Sequence, residues 1–135
     1  KRLAVLYLKP IGFYAIIPGI FGLSYKENTG AAFSILEGKR LFFIILTSIF
    51  MLFLLFVLFS RLVNDLFGRI TISMIISGGI GNLIDRIFQG YVVDMFDFYL
   101  INFAVFNFAD ILVSCGAVLF IFRYIEKKGS IIEWK

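Results

Sequence analysis

The chain has 135 residues, 61% of them hydrophobic and only 16% charged, with eighteen Phe and a formal net charge of +4. Soluble domains run nearer about 45 to 50% apolar and about 25% charged, so this composition belongs in a bilayer. With no His and a single Cys, zinc sites of His and Cys, Ser-His-Asp triads, Cys-His dyads and internal disulfides are excluded by inventory, and the positive charges sit at the ends of apolar runs rather than in a stripe that could track nucleic-acid phosphates.

The first forty residues contain no convincing span. Pro10, Gly12, Pro18, Gly19 and Gly22 punctuate short apolar pieces, which predicts short strands and turns on the membrane surface over about residues 10–40. Within them, Asn28-Thr29-Gly30-Ala31-Ala32-Phe33-Ser34 reads either as a simple turn or as a run of small residues suited to close approach of a ligand backbone. Residues 41–60 are then almost unbroken and apolar between Lys39-Arg40 and Arg61. That is about the 20 residues a helix needs to cross some 30 Å of hydrocarbon.

A second span is predicted over about residues 69–88. Its first half is apolar, whereas Ser77-Gly78-Gly79-Ile80-Gly81-Asn82 is small and polar and permits close helix approach. It ends in Asn82-Leu83-Ile84-Asp85-Arg86, whose charges require protein or water rather than lipid. The β-branched and aromatic residues 91–99 read as an extended or irregular loop at the membrane face; in a strand, Asp94 and Asp97 would face opposite sides. A third span is predicted over about residues 104–124. Asn107 and Asp110 lie in its first turns and share a face, Arg123, Lys127 and Lys128 close it, and residues 129–135 read as a loose tail. Cys115 beside Gly116 reads as a small packing residue.

The charges of Arg61, Arg69, Arg123, Lys127 and Lys128 predict cytoplasmic ends, so Asp85, Asp94 and Asp110 fall near the outer face. Lys39-Arg40 falls on that outer side too, against the rule. The same orientation puts Lys1 outside with no segment to deliver it, so a preceding helix of the natural protein is expected to be missing from this sequence.

An ionisable side chain within a span costs roughly 2.5 to 3.5 kcal/mol on insertion scales, which makes Asp85 and Asp110 candidates for function, with Asp94 falling between them at the same membrane boundary. Two carboxyls held close share one proton, so one serves as base while the other serves as acid against a water and a carbonyl. Asp94 and Asp110 could meet in this way if the loop between them folds back. For Asp85 and Arg86 the preferred reading is a helix-end network that holds the outer loop. Asn82 and Asn107 are amide donors to a carboxylate or a substrate carbonyl, or else buried packing amides. Asp65 reads as a solvated loop acid and Asp97 as an interface acid. A proton or ion conductor would also use intramembrane acids but would spread them through the bilayer depth, and a non-enzymatic assembly subunit using Gly78-Gly79 leaves the acids unexplained.

Four blocks occur in order: Asn28 to Ser34, Gly81-Asn82-Leu83-Ile84-Asp85-Arg86, Val92-Val93-Asp94 and Phe106-Asn107-Phe108-Ala109-Asp110. Together they resemble the bacterial lipoprotein signal peptidase family, signal peptidase II. The resemblance implies a polytopic α-helical membrane protein, a four-helix bundle whose first helix is missing here, with a small extracytoplasmic β-cradle, the whole chain 1–135 forming one membrane-embedded peptidase domain. It implies an intramembrane aspartyl endopeptidase of the bacterial cytoplasmic (inner) membrane, active near the outer face, that removes the signal peptide from prolipoproteins whose Cys carries diacylglycerol. By the motif match, Asp94 and Asp110 are the catalytic acids and Asn28, Asn82, Asp85, Arg86 and Asn107 the supporting residues. No metal or cofactor is implied; the expected partners are the lipidated precursor and membrane lipid, with no nucleic acid and a monomeric enzyme. Ala104 stands where the family commonly has Pro, which is expected to alter only the start of the third span.

Overall fold

The computed structural model describes residues 1–30, 36–60 and 62–132, with side chains as far as Glu126. Residues 31–34 of the first motif block, Arg61, and the side chains of Lys127 and Lys128 lie outside the described residues.

Three helices carry the apolar runs: α1 (Arg40–Phe59), α2 (Leu66–Phe88) and α3 (Phe108–Ile132). All three are long and apolar enough to cross a membrane. Asp65 proves to be the N-cap of α2, its carboxylate accepting from Gly68 N–H at 2.9 Å, so the helix starts earlier than the run of apolar residues suggested. The third helix starts later than expected. Phe106 exchanges backbone hydrogen bonds with Phe96, at 2.8 and 3.1 Å, which keeps the chain extended up to Asn107. At its far end α3 continues to Ile132, where a loose tail was expected from residue 129.

The central helix α2 packs against both α1 and α3. Met51 and Leu54 of α1 meet Ile72, Ile75 and Ile76 of α2 in a buried cluster that Val113, Ala117 and Phe120 of α3 join. Large apolar side chains on the outward faces, such as Phe53, Phe56 and Phe122, stay exposed, as lipid-facing residues do and as a water-soluble surface does not. The seam between α2 and α3 depends on a missing side chain. A Cβ on Gly78 would overlap the Ala109 carbonyl oxygen and lie 2.8 Å from Val113 Cγ2, so only glycine lets the two backbones approach this closely.

At one end of the bundle sits an antiparallel sheet of β1 (Phe13–Ile17), β2 (Phe21–Asn28) and β3 (Val92–Asp97), in the order β1-β2-β3. The β-branched and aromatic stretch after α2 is therefore a strand. Its register against β2 sets Asn28 opposite Val92 and Lys26 opposite Asp94. A wide helical turn, Ala4–Leu8, precedes the sheet where no helix was expected; Ala4 and Leu8 pack with the fully buried Val93. Val93 thus anchors β3 beside the residue that follows it, Asp94.

Candidate active site

Three elements converge at the sheet end: the last turns of α2, strand β3 and the first turn of α3. Their junction is Asn107, which is fully buried and immediately precedes α3. Its Oδ1 accepts from Ala109 N–H at 2.7 Å, satisfying one of the donors that a helix start leaves open. Its Nδ2 donates to Asp94 Oδ1 at 2.7 Å, and its backbone N–H donates to Asp110 Oδ2 at 2.9 Å. One residue therefore holds both carboxyls, and the turn of helix between Asn107 and Asp110 fixes their relation.

Each acid has a second partner. Asn28 Nδ2 donates to Asp94 Oδ2 at 2.9 Å, while its own Oδ1 accepts from Gly30 N–H at 2.9 Å. Asn82 Nδ2 donates to Asp110 Oδ1 at 2.7 Å, and Asn82 Oδ1 accepts from Asn107 Nδ2 at 3.2 Å. The amides serve as donors to carboxylates, the first of the two readings open from sequence.

Asp85 and Arg86 build the surrounding frame. Asp85, 7% exposed, pairs with Lys1 Nζ at 2.8 Å and accepts from Val93 N–H at 3.3 Å, next door to Asp94. Arg86 Nη2 donates to Gly30 O at 2.8 Å, and the guanidinium lies 4.9 Å from the centre of the Phe43 ring. The buried Nε of Arg86 has no hydrogen-bond partner among the described residues. Asp97 stands apart: it sits opposite Gly22 in the sheet and is partly exposed.

Burial pushes the Asp94 carboxyl above the ordinary carboxylate range. The hydrogen bonds from Asn107 and Asn28 pull it back down, the nearby Asp110 charge pushes it up again, and the Lys1 charge lowers it. Asp94 therefore keeps a proton more readily than an exposed aspartate.

Both acids line a cavity of about 540 Å³, whose lining also includes Ala104 and, from α3, Ser114 and Cys115. Cys115 is exposed to that cavity and is not the packing residue its apolar surroundings suggested. A second cavity, of about 480 Å³, lies between transmembrane residues such as Phe50 and Ile75 and shares Asn82, Arg86 and Asp110 with the first. Among the described residues no group of three His, Cys, Asp or Glu is placed to hold a metal ion.

Lys1 and Arg40 escaped sequence reasoning. Lys1 Nζ also donates to Asn82 Oδ1 at 2.6 Å, a role with no local pattern to announce it. Arg40 did leave a signal, since in the topology expected from the charges it falls on the disfavoured outer side.

Three helices of membrane-crossing length packed beside a small antiparallel sheet have the architecture of a polytopic membrane protein, and two carboxyls share one hydrogen-bond network where helices and sheet meet. The family model for signal peptidase (SPase) II matches residues 1–126. The lipoprotein signal peptidase of Caldanaerobacter subterraneus subsp. tengcongensis is 45% identical over 129 residues, covering 96% of this chain and 88% of that protein. That of Streptococcus thermophilus is 46% identical over 115 residues, covering 84% and 75%. A bacterial membrane enzyme solved by the in meso method at 2.3 Å superposes with a TM-score of 0.86 at 30% identity, covering 96% of this chain and 82% of its own. A second, solved at 1.9 Å, gives 0.74 at 34% identity, covering 83% and 74%. The chain belongs to the signal peptidase II family of proteases.

Proposed function

We propose that this protein is an intramembrane aspartyl endopeptidase that removes the signal peptide from diacylglyceryl-modified prolipoproteins, with Asp94 and Asp110 as the catalytic pair. The observation that carries the reading is Asn107, which donates to Asp94 through its side chain and to Asp110 through its backbone. Two carboxyls tied to one residue, and facing one cavity, suit a site in which both act on the same water and the same carbonyl.

The chemistry needs a single proton on the pair. The ionised carboxyl takes a proton from water as the water oxygen attacks the carbonyl carbon, and the protonated carboxyl gives its proton to the carbonyl oxygen. Collapse of the tetrahedral diol breaks the C–N bond as the protonated carboxyl gives its proton to the departing amine and the ionised carboxyl takes one from a diol hydroxyl, so the pair again holds one proton; the products are a peptide carboxylic acid, which ionises in water, and a new amino terminus on the lipidated Cys. Asp94, with its raised affinity for a proton, suits the proton-bearing role at the start; the pair titrates as a unit, so the proton belongs to both. Arg86 lines both cavities, and its guanidinium would place positive charge beside the substrate. Asn28, Asn82, Asn107 and Asp85 position the pair.

The site's depth assigns the lipid its part. The acids sit at the bundle end, which we place at the outer face of the cytoplasmic membrane, so a scissile bond must be held at that level. Each buried methylene contributes about 0.8 kcal/mol and two acyl chains anchor stably where one is marginal. A diacylated precursor should therefore be cleaved far faster in liposomes than the same precursor unmodified, at equal membrane concentration. Equal rates would refute lipid-dependent positioning, and no cleavage of either form would refute the peptidase reading.

A further inference from the structure

The end of α2 carries the frame of the whole site, from Asn82 in its next-to-last turn to Asp85 and Arg86 in its last. Asn82 reaches Asp110, Asp85 reaches the backbone beside Asp94, and Arg86 reaches Gly30, whose N–H in turn fixes the Asn28 amide on Asp94. Yet this turn is a helix end, where backbone carbonyls lack partners within the helix and the chain tends to fray. Two of those carbonyls are taken by a residue from another helix. Arg40, the first residue of α1, donates from Nε to Arg86 O and from Nη2 to Ile87 O, both at 2.8 Å.

We propose that Arg40 is a positioning residue for the catalytic pair. Its planar guanidinium presents two N–H donors in a fixed fork to two adjacent carbonyls, a geometry that an ammonium on a flexible stem does not hold, and its charge complements the negative end of the α2 dipole. One turn further along α1, the Phe43 ring covers the guanidinium of Arg86. The first turn of α1 therefore grips Arg86 twice, by its backbone and by its side chain. Arg40 is exposed, so the bonds themselves add little to global stability; what they fix is the geometry of a helix end. This role also accounts for a positive charge on the side of the bilayer where topology disfavours it.

The inference rests on the aspartyl-peptidase reading, and two readouts separate them. In the intact protein, Arg40→Met should lower kcat on the order of 10- to 100-fold, the scale of a small misplacement of catalytic groups, with KM moving less than about twofold. Arg40→Lys, which keeps the charge but not the planar fork, should recover part of the loss. Leu54→Ala, which opens the α1–α2 core, should lower thermal stability by more than Arg40→Met while leaving kcat per folded enzyme unchanged. Independently of any substrate, amide exchange over Asp85 to Ile87 should speed up in Arg40→Met and stay unchanged in Leu54→Ala. A wild-type kcat in Arg40→Met overturns the proposal, as does an equal kcat loss in Leu54→Ala. So does a loss seen in vesicles of anionic lipid but not in zwitterionic detergent, which would make Arg40 a headgroup ligand. If the wild type cleaves nothing, the peptidase reading falls, and unchanged exchange in Arg40→Met would take the clamp with it.

Discussion

The two seams of the bundle are built on opposite plans. Between α1 and α2 the contact is apolar and side-chain based: Met51 and Leu54 rest on Ile72, Ile75 and Ile76, and the Met51 thioether fills the space above Gly79. Between α2 and α3 the contact is backbone based, with Gly78 against the Ala109 carbonyl, and it ends in the Asn82, Asn107 and Asp110 hydrogen bonds. The first seam can relax by turning a side chain; the second cannot, because backbone atoms have nowhere to go. The helix pair that carries Asp110 and its partner Asn82 is thus the rigid pair, and α1 bonds to the frame of the site through its first turn.

The largest effect should come from the acids on the rigid side. Asp94→Asn and Asp110→Asn should each reduce cleavage on the order of 10⁴-fold or more, and the double variant should be little worse than either, because the pair acts as a unit. Asp97→Asn, outside the network, should keep activity within a few-fold. An inactive Asp97→Asn beside an active Asp94→Asn would reassign the site.

A matched pair of glycines tests the contrast itself. Gly78→Ala drives a methyl into backbone and should cost about 1 to 3 kcal/mol of stability and on the order of 100-fold in kcat. Gly79→Ala meets the Met51 side chain, most closely its Sδ and Cε, a flexible side-chain end, and should cost under about 1 kcal/mol with little change in rate. Thermal unfolding and cleavage measured on both would dissolve the distinction if the two behaved alike.

A smaller effect follows from the burial of Asp94. Its folded carboxyl holds a proton more tightly than the unfolded chain does, so its contribution to stability is full below the ordinary carboxyl range and is lost as pH rises through the raised folded value. Asp94→Asn does not ionise and escapes that loss. The melting temperature of the variant minus that of the wild type should therefore climb with pH across this window, whatever its absolute level. A flat or falling difference would show that Asp94 is not held as a buried acid.

The smallest effect belongs to the far side of the sheet. Lys9 pairs with Glu27 at 2.9 Å, and Tyr25 donates to the same carboxylate at 2.8 Å. Each shifts the other in the expected sense, Lys9 upward and Glu27 downward through their mutual hydrogen bond, but both stand in solvent where such pairs are screened. Lys9→Met and Glu27→Gln should leave cleavage and melting indistinguishable from wild type.

The sequence disclosed those parts of the site whose cost in lipid is high. Asp85, Asp94, Asp110, Asn82 and Asn107 stand out because polar groups in apolar runs need a reason, and all five fall in one network. The spans were legible from length, and Gly78 from its small neighbours. What stayed hidden was set by tertiary partners. The strand pairing of Phe96 with Phe106 delays α3 until Asn107, and nothing local distinguishes Asp65 as a cap from Asp65 as a loop acid. Lys1 acts on Asn82 and Asp85, 81 and 84 positions away, and Arg40 on Arg86 and Ile87, 46 and 47 positions away. Cys115 needed the cavity to be seen before its exposure could be known.

Asn107 has a consequence for how lesions in this protein could be repaired. The same amide that starts α3, through the bond to Ala109 N–H, also orients Asp94. A change at this position removes a folding signal and a catalytic support in one step. Any second-site suppressor then faces two unrelated demands, a new acceptor for the helix start and a new donor for a carboxylate some distance away. Genetic selection for recovered expression should therefore return a different set of suppressors from selection for recovered cleavage, and the position should tolerate less drift than either acid's other neighbours.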